Sequence, residues 1–254
     1  MDLQERIKKG WEISAEGYSK NVVPDDFLSP AKEVWTELIL SKAPAGEKLK
    51  ILDIGTGPGV FPTLLTLAGH DVTGIDISPK MLEQAKMNSA KYGVEPEYLV
   101  MDSQNLEFDE NTFDLIISRN VVWIMEYPEK AYSSWLKCLK PGGKIIVFDS
   151  GHGKDDFLSQ FDLDNEGYIR DYREKHGEDP KLSFEPGQYE IARGWKKELK
   201  LSHVERPAWD VQTLKELGYA DVEWDNVAGI VASVDKSMLD SEKKVFFRLC
   251  GTKI

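Results

Sequence analysis

Residues 49–60, LKILDIGTGPGV, constrain the fold more than any other stretch. A short apolar run, Leu49 to Asp53, reads as a buried strand. Gly55, Gly57 and Gly59 follow at alternate positions, and Val60-Phe61-Pro62-Thr63-Leu64-Leu65 then opens an apolar-periodic helix. Strand, glycine turn and helix predict the first unit of a nucleotide-binding α/β sheet. The glycines let the backbone turn sharply and let a ligand lie against it with no Cβ in the way. The helix behind them presents free N–H groups.

The spacing narrows the ligand. In the dinucleotide fingerprint G-x-G-x-x-G the third glycine would stand at position 60, which is Val60. The chain reads D-x-G-x-G-x-G instead, from Asp53 to Gly59, with Thr56 between the first two glycines. A carboxylate at the strand end repels a pyrophosphate and attracts an ammonium group.

Further strands and helices alternate. Residues 2–20 predict a helix carrying Ile7, Trp11 and Tyr18, and Ser29-Pro30 caps a second helix reaching about Ser41. Residues 71–76 predict a strand ending on Asp76, 17 residues after Gly59. A carboxylate there accepts from both ribose hydroxyls, in NAD enzymes as elsewhere. Ser78-Pro79 caps a helix from Lys80 to Lys91; Ile77, just before the cap, and Met81, within the helix, are adenine-flanking candidates, and Met81 is equally an ordinary core residue. Strands follow at 97–101, 113–118 and 144–148. The first leads into Asp102-Ser103, the second into Arg119-Asn120, and the third is preceded by LKPGG. A last helix (209–217) and two strands (221–227 and 244–251) close the chain.

The D-x-G-x-G-x-G turn, Asp76, Asp102-Ser103 and LKPGG, in this order, resemble the motifs of class I S-adenosylmethionine-dependent methyltransferases, over roughly residues 49–150. The resemblance implies an α/β fold: a doubly wound, seven-stranded, mostly parallel sheet ending in an antiparallel hairpin. It implies S-adenosylmethionine as cofactor, with S-adenosylhomocysteine as product. Asp53, Gly55, Thr56, Gly57 and Gly59 would lie at its amino-acid end. Asp102 would accept from the adenine amino group, the Ser103 N–H would reach a ring nitrogen, and Asn120 would lie near the sulfonium. Tyr18 would close over the cofactor. Four segments are expected: a helical lid (1–45), the cofactor core (46–150), an aromatic-rich cap over the acceptor (151–206), and the end of the core (207–254).

Composition bounds the acceptor. A net charge of −12 and a pI of about 4.9 make a long phosphate backbone a poor partner. No 18-residue apolar stretch predicts a membrane span, and the N-terminus has no apolar signal core. Cys138 and Cys250 lack metal-ligand spacing and read as buried thiols of a reduced, cytoplasmic protein. No metal site is expected. The expected function is methyl transfer to an N, O, S or C atom of a small metabolite, by a monomer or homodimer. A hydroxyl or acidic carbon acceptor needs a base. His152, directly after the fifth strand, is the best placed; His203 ends the cap, and His70 sits at the opposite edge as a structural residue. Three alternatives stand beside this: a tRNA or protein methyltransferase, which needs a basic groove; a nicotinamide-dependent oxidoreductase, which Val60 and Asp53 oppose; and a non-catalytic cofactor-binding protein.

Overall fold

The computed structural model describes residues 1–23, 30–151, 170, 173–174, 177, 195, 198–233 and 245–254. Seven strands make one sheet: β1 (Lys50–Ile54), β2 (Asp71–Asp76), β3 (Glu97–Val100), β4 (Phe113–Arg119), β5 (Leu139–Gly151), β6 (Tyr219–Asn226) and β7 (Val245–Lys253). Their order is β3-β2-β1-β4-β5-β7-β6. The first five run parallel, and β7 is antiparallel to both β5 and β6. The helices are α1 (Leu3–Val22), α2 (Pro30–Leu40), α3 (Val60–Leu67), α4 (Pro79–Lys91), α5 (Pro128–Cys138), α6 (Ala208–Leu217) and α7 (Ala228–Ala232).

Helices cover both faces, which is why the central strands are continuously apolar rather than alternating. Along β5, Ile146 and Phe148 pack with Trp35, Phe61 and Leu64 of α2 and α3, while Ile145 and Val147 pack with Tyr132, Trp135 and Leu214 of α5 and α6. The expected local signals act where they were read. The Ser78 hydroxyl caps α4 by accepting from Met81 N–H at 3.3 Å. Gly218 ends α6 in the left-handed conformation, at φ 96°.

Three boundaries differ from expectation. β5 pairs already from Leu139, opposite Phe113, and its register then jumps to Lys144 opposite Leu115. LKPGG therefore bulges out of a strand instead of preceding one. β6 starts at Tyr219, and α7 stands between it and β7. The expected Ser29 cap, His152, and the cap aromatics Phe157, Phe161, Tyr168, Tyr172, Phe184 and Tyr189 lie outside the described residues. Both cysteines are buried and unpaired with each other. No helix among the described residues is long and apolar enough to cross a membrane.

α1 is attached beside the main core. Its start carries a reciprocal Asp2–Glu5 capping box. Ile7 joins Trp195 and Leu199 in a small satellite core, and Trp123 stacks on Trp195 with centroids 6.2 Å apart. Arg6 donates both terminal guanidinium nitrogens to Glu198, at 2.8 and 2.5 Å.

A buried ionic cluster ties the C-terminal segment to the sheet. Arg206 donates to Asp149 Oδ2 at 2.7 Å and to both oxygens of Asp210 at 2.8 Å. Tyr132 Oη donates to Asp210 Oδ1 at 2.8 Å, and Asp149 also accepts from the Trp123 and Ser150 N–H groups. The charged side chains are at most 1% exposed. Two buried carboxylates around one guanidinium are tolerated only while all three are present. Arg206→Met is expected to lower unfolding free energy by roughly 3–5 kcal/mol in urea titration, and simultaneous apolar replacement of Arg206, Asp149 and Asp210 to recover most of that loss.

Candidate functional site

The carboxyl ends of β1 to β4 open into a cleft of about 730 Å³. Its floor is the glycine turn, and the three glycines do different work there. A Cβ on Gly55 would meet Val121 at 2.3 Å, and one on Gly59 would meet Tyr98 Oη at 2.6 Å and Ala85 at 2.8 Å. Gly59 thus turns away from the cleft and lets α3 approach α4. Gly57, at φ +53°, has nothing closer than Tyr18 Cε1 at 3.9 Å. A side chain here would fill the cleft itself.

Two carboxylates converge on this turn. Asp53 ends β1 buried, accepting from Thr56 Oγ1 at 2.6 Å. Burial pushes its pKa up to about 7, against the opposing effects of the Thr56 hydrogen bond and the Arg119 charge. Asp76 ends β2 and accepts from Gly57 N–H at 3.0 Å and Ser78 N–H at 2.9 Å. Burial raises it to about 6 although these N–H groups favour the anion. Neither acid has an ion-pair partner among the described residues. Such sites await a ligand that supplies donors or positive charge.

The remaining expected residues are brought together around them. Ile77, Met81, Asp102, Ser103 and Asn120 line the cleft with Asp76, and Tyr18 faces it from α1. Asp102 Oδ1 accepts from Gln104 N–H at 2.9 Å, and its Oδ2 accepts from Gln4 Nε2 of α1 at 3.2 Å. The Ser103 carbonyl accepts from Trp135 Nε1 at 2.7 Å, which fixes that loop on α5. Asn120 sits at φ 57°, its N–H donating to the Phe148 carbonyl and its own carbonyl accepting from Trp123 Nε1. Trp123 packs on Trp195, and its neighbour Ile124 lines the cleft.

Asn88 Nδ2 donates to the Pro58 carbonyl at 2.9 Å and to Ser19 Oγ at 3.1 Å, locking the glycine turn and α1 to α4. His70, far from the cleft, accepts from Leu49 N–H at 3.3 Å, and burial holds its pKa low. His203 is exposed at the end of a 3₁₀ turn.

Residues 52–147 match the family model described as a methyltransferase domain. The ubiquinone/menaquinone biosynthesis C-methyltransferase UbiE of Idiomarina loihiensis is 25% identical over 257 residues, 92% of this chain and 96% of the relative. The malonyl-[acyl-carrier protein] O-methyltransferase of Buchnera aphidicola is 33% identical over 141 residues, 55% of either chain. Residues 52–147, which carry the glycine turn and the strand-end acids, are thus similar to methyltransferase domains.

The solved structure of Haemonchus contortus phosphoethanolamine N-methyltransferase 2, in complex with phosphomonomethylethanolamine and S-adenosylhomocysteine, shares the methyltransferase fold. Its TM-score is 0.66 at 19% identity, over all of this chain and 60% of that one. The [4+2]-cyclase SpnF shares the fold too, with TM-score 0.64 at 14% identity over 97% and 95% of the chains. The fold therefore carries more than one chemistry. The chain spans about half the length of several curated relatives that it matches.

Sequence reasoning missed three contributors to this candidate site. Gln4 reaches Asp102 from the chain's first turn, Asn88 holds the glycine turn from mid-helix, and Arg119 enters the cleft beside Asn120. Only Arg119 left a signal, as a cation directly after the apolar strand β4.

Burying Asp53 has a thermodynamic sign. Its folded pKa lies above the unfolded value of 3.8, so the folded state binds more protons between the two, and stability falls as pH rises through that window. Asp53→Asn keeps an acceptor for Thr56 without the charge. It is expected to stabilise the ligand-free protein at pH 8 by roughly 1–3 kcal/mol, the gain shrinking toward the ordinary carboxylate range, as read by thermal unfolding against pH.

Proposed function

We propose that this chain transfers the methyl group of S-adenosylmethionine to a small metabolite. The observation that carries the reading is the pair of buried carboxylates, Asp53 and Asp76, around the bare Gly57 cradle. Cofactor and cradle fit: the first acid suits an ammonium group, the second a vicinal diol, and a Cβ at Gly57 would obstruct both. S-adenosylmethionine, when bound, supplies an electrophilic methyl carbon on a sulfonium.

The residues then have distinct tasks. Asp53 takes the amino-acid end over Gly55, Thr56 and Gly57, and Asp76 the ribose hydroxyls. Ile77 and Met81 flank the adenine, and Asp102 with Ser103 reads its polar edge. Asn120 lies where the methyl group would face the acceptor. Tyr18 and the α1 lid exclude water and align the reactants, which is the main catalytic need of a displacement. Gly59 acts only through packing.

The acceptor side is apolar and aromatic, built from Ile7, Trp11, Ile124 and Met125. Together with the chain's acidity, this favours a compact metabolite over a nucleic acid. Relatives named for quinone, acyl-carrier and phosphoethanolamine substrates give no single acceptor. Residues 151–206 follow β5 at the acceptor edge and suit a cap that selects it. His152, at the head of that segment, is the candidate base for an acceptor that must lose a proton. Reduced thiols and the lack of a spanning helix among the described residues fit a cytoplasmic enzyme.

Methyl-labelled S-adenosylmethionine incubated with the protein and a size-fractionated cell extract is expected to place label in the small-molecule fraction. Label in RNA or protein would overturn the acceptor class. Bound cofactor with no label transferred to any fraction would overturn the reaction. Asp76→Ala is expected to weaken S-adenosylhomocysteine binding by roughly 1.5–3 kcal/mol for each ribose hydrogen bond removed, measured by calorimetric titration.

A further inference from the structure

A recess of about 320 Å³ opens off the main cleft behind the glycine turn and shares Tyr18, Gly55, Gly57 and Arg119 with it. Asp53 and Phe61 complete its wall. Among the described residues, Arg119 is the only basic one lining either space. Its guanidinium lies 5.1 Å from the centroids of both Trp35 and Phe61, two buried rings of the main core. That platform fixes the position of the cation. It leaves the donors unused: among the described residues Arg119 makes no hydrogen bond or ion pair with any carboxylate, and Asp53 only feels its charge.

The recess includes Pro58 and Val60, at the N-terminal end of α3, where the helix dipole favours an anion. A partly buried guanidinium with five free N–H donors is a receptor for a planar, bidentate anion. Asp53 beside it is a receptor for a cation. A cation receptor and an anion receptor on one small recess match an α-amino acid zwitterion.

We propose that Arg119 binds the α-carboxylate of the cofactor's amino-acid end, working beside Asp53, which receives the α-ammonium. This rests on the methyltransferase reading and adds a specificity to it: the chain distinguishes the cofactor from its decarboxylated counterpart. The aromatic pair Trp35 and Phe61 holds the guanidinium in place before the ligand arrives, so little side-chain freedom is lost on binding.

The test uses the full chain and two ligands, S-adenosylhomocysteine and its decarboxylated analogue, which keeps the amine and lacks the carboxylate. Calorimetric titration of the unmodified protein is expected to show S-adenosylhomocysteine binding at least ~10-fold more tightly, the scale of one charged hydrogen-bonded pair. Arg119→Gln is expected to remove that preference by weakening S-adenosylhomocysteine alone, and Arg119→Lys to restore part of it. Asp53→Asn, in contrast, should weaken both ligands. Equal loss of both ligands in Arg119→Gln, or no loss of either, overturns the proposal. Should Arg119→Gln fail to fold, the ratio of the two ligands on the unmodified protein decides alone, and a ratio near one overturns it. Binding of neither ligand to the unmodified protein would overturn the methyltransferase reading itself, an outcome distinct from the failure of Arg119.

Discussion

The hydrogen bond from Gly57 N–H to Asp76 is the joint on which the cleft depends. It links the turn after β1 to the end of β2, so two adjacent parallel strands present their ends at a fixed offset. The same carboxylate accepts from Ser78 N–H and so sets the entry into α4. Asn88 of that helix returns to the Pro58 carbonyl and closes a loop of contacts around the turn. Parallel strands with helical crossovers bring all their carboxyl ends to one edge. This ring of polar contacts converts that topological edge into a shaped surface.

The polar groups fall into two classes that must be kept apart. Arg206, Asp149, Asp210 and Tyr132 satisfy one another in a space closed to solvent. Their value is registry: they fix α6 and the end of β5 relative to each other, behind Trp123. Asp53, Asp76 and Arg119 are only partly satisfied by protein groups and face open space. The first class is complete in itself, while the second has unused hydrogen-bonding capacity directed at the cleft. That contrast separates structural charge from candidate ligand-binding charge more sharply than burial does.

The sheet was legible because its signals are local. β2 spans 71–76 as read, α4 begins at its Ser78-Pro79 cap, and α6 stops at Gly218, since each boundary is set by residues within one turn of it. The bulge at LKPGG was not legible, because register is settled by the partner strand and not by the strand itself. Asp149 and Arg206 are 57 positions apart, and nothing near either announces the other. Around the cleft, the motif acids and glycines were visible from spacing. The residues that orient them, Gln4, Asn88 and the Trp35–Phe61 platform, carry side chains that occur equally often in plain helices.

The attachment of α1 has a kinetic consequence. Its C-terminal half is tied to α4 by the Asn88–Ser19 hydrogen bond, while its first turns rest on a satellite core of a few side chains, an exposed Arg6–Glu198 pair and the Gln4–Asp102 contact. Weakly attached units detach at a small fraction of the global unfolding free energy. The first turns of α1 are therefore expected to open more readily than the sheet unfolds. Asp102 both lines the cleft and accepts from Gln4, so the cleft wall and the contact that holds the start of α1 share one carboxylate.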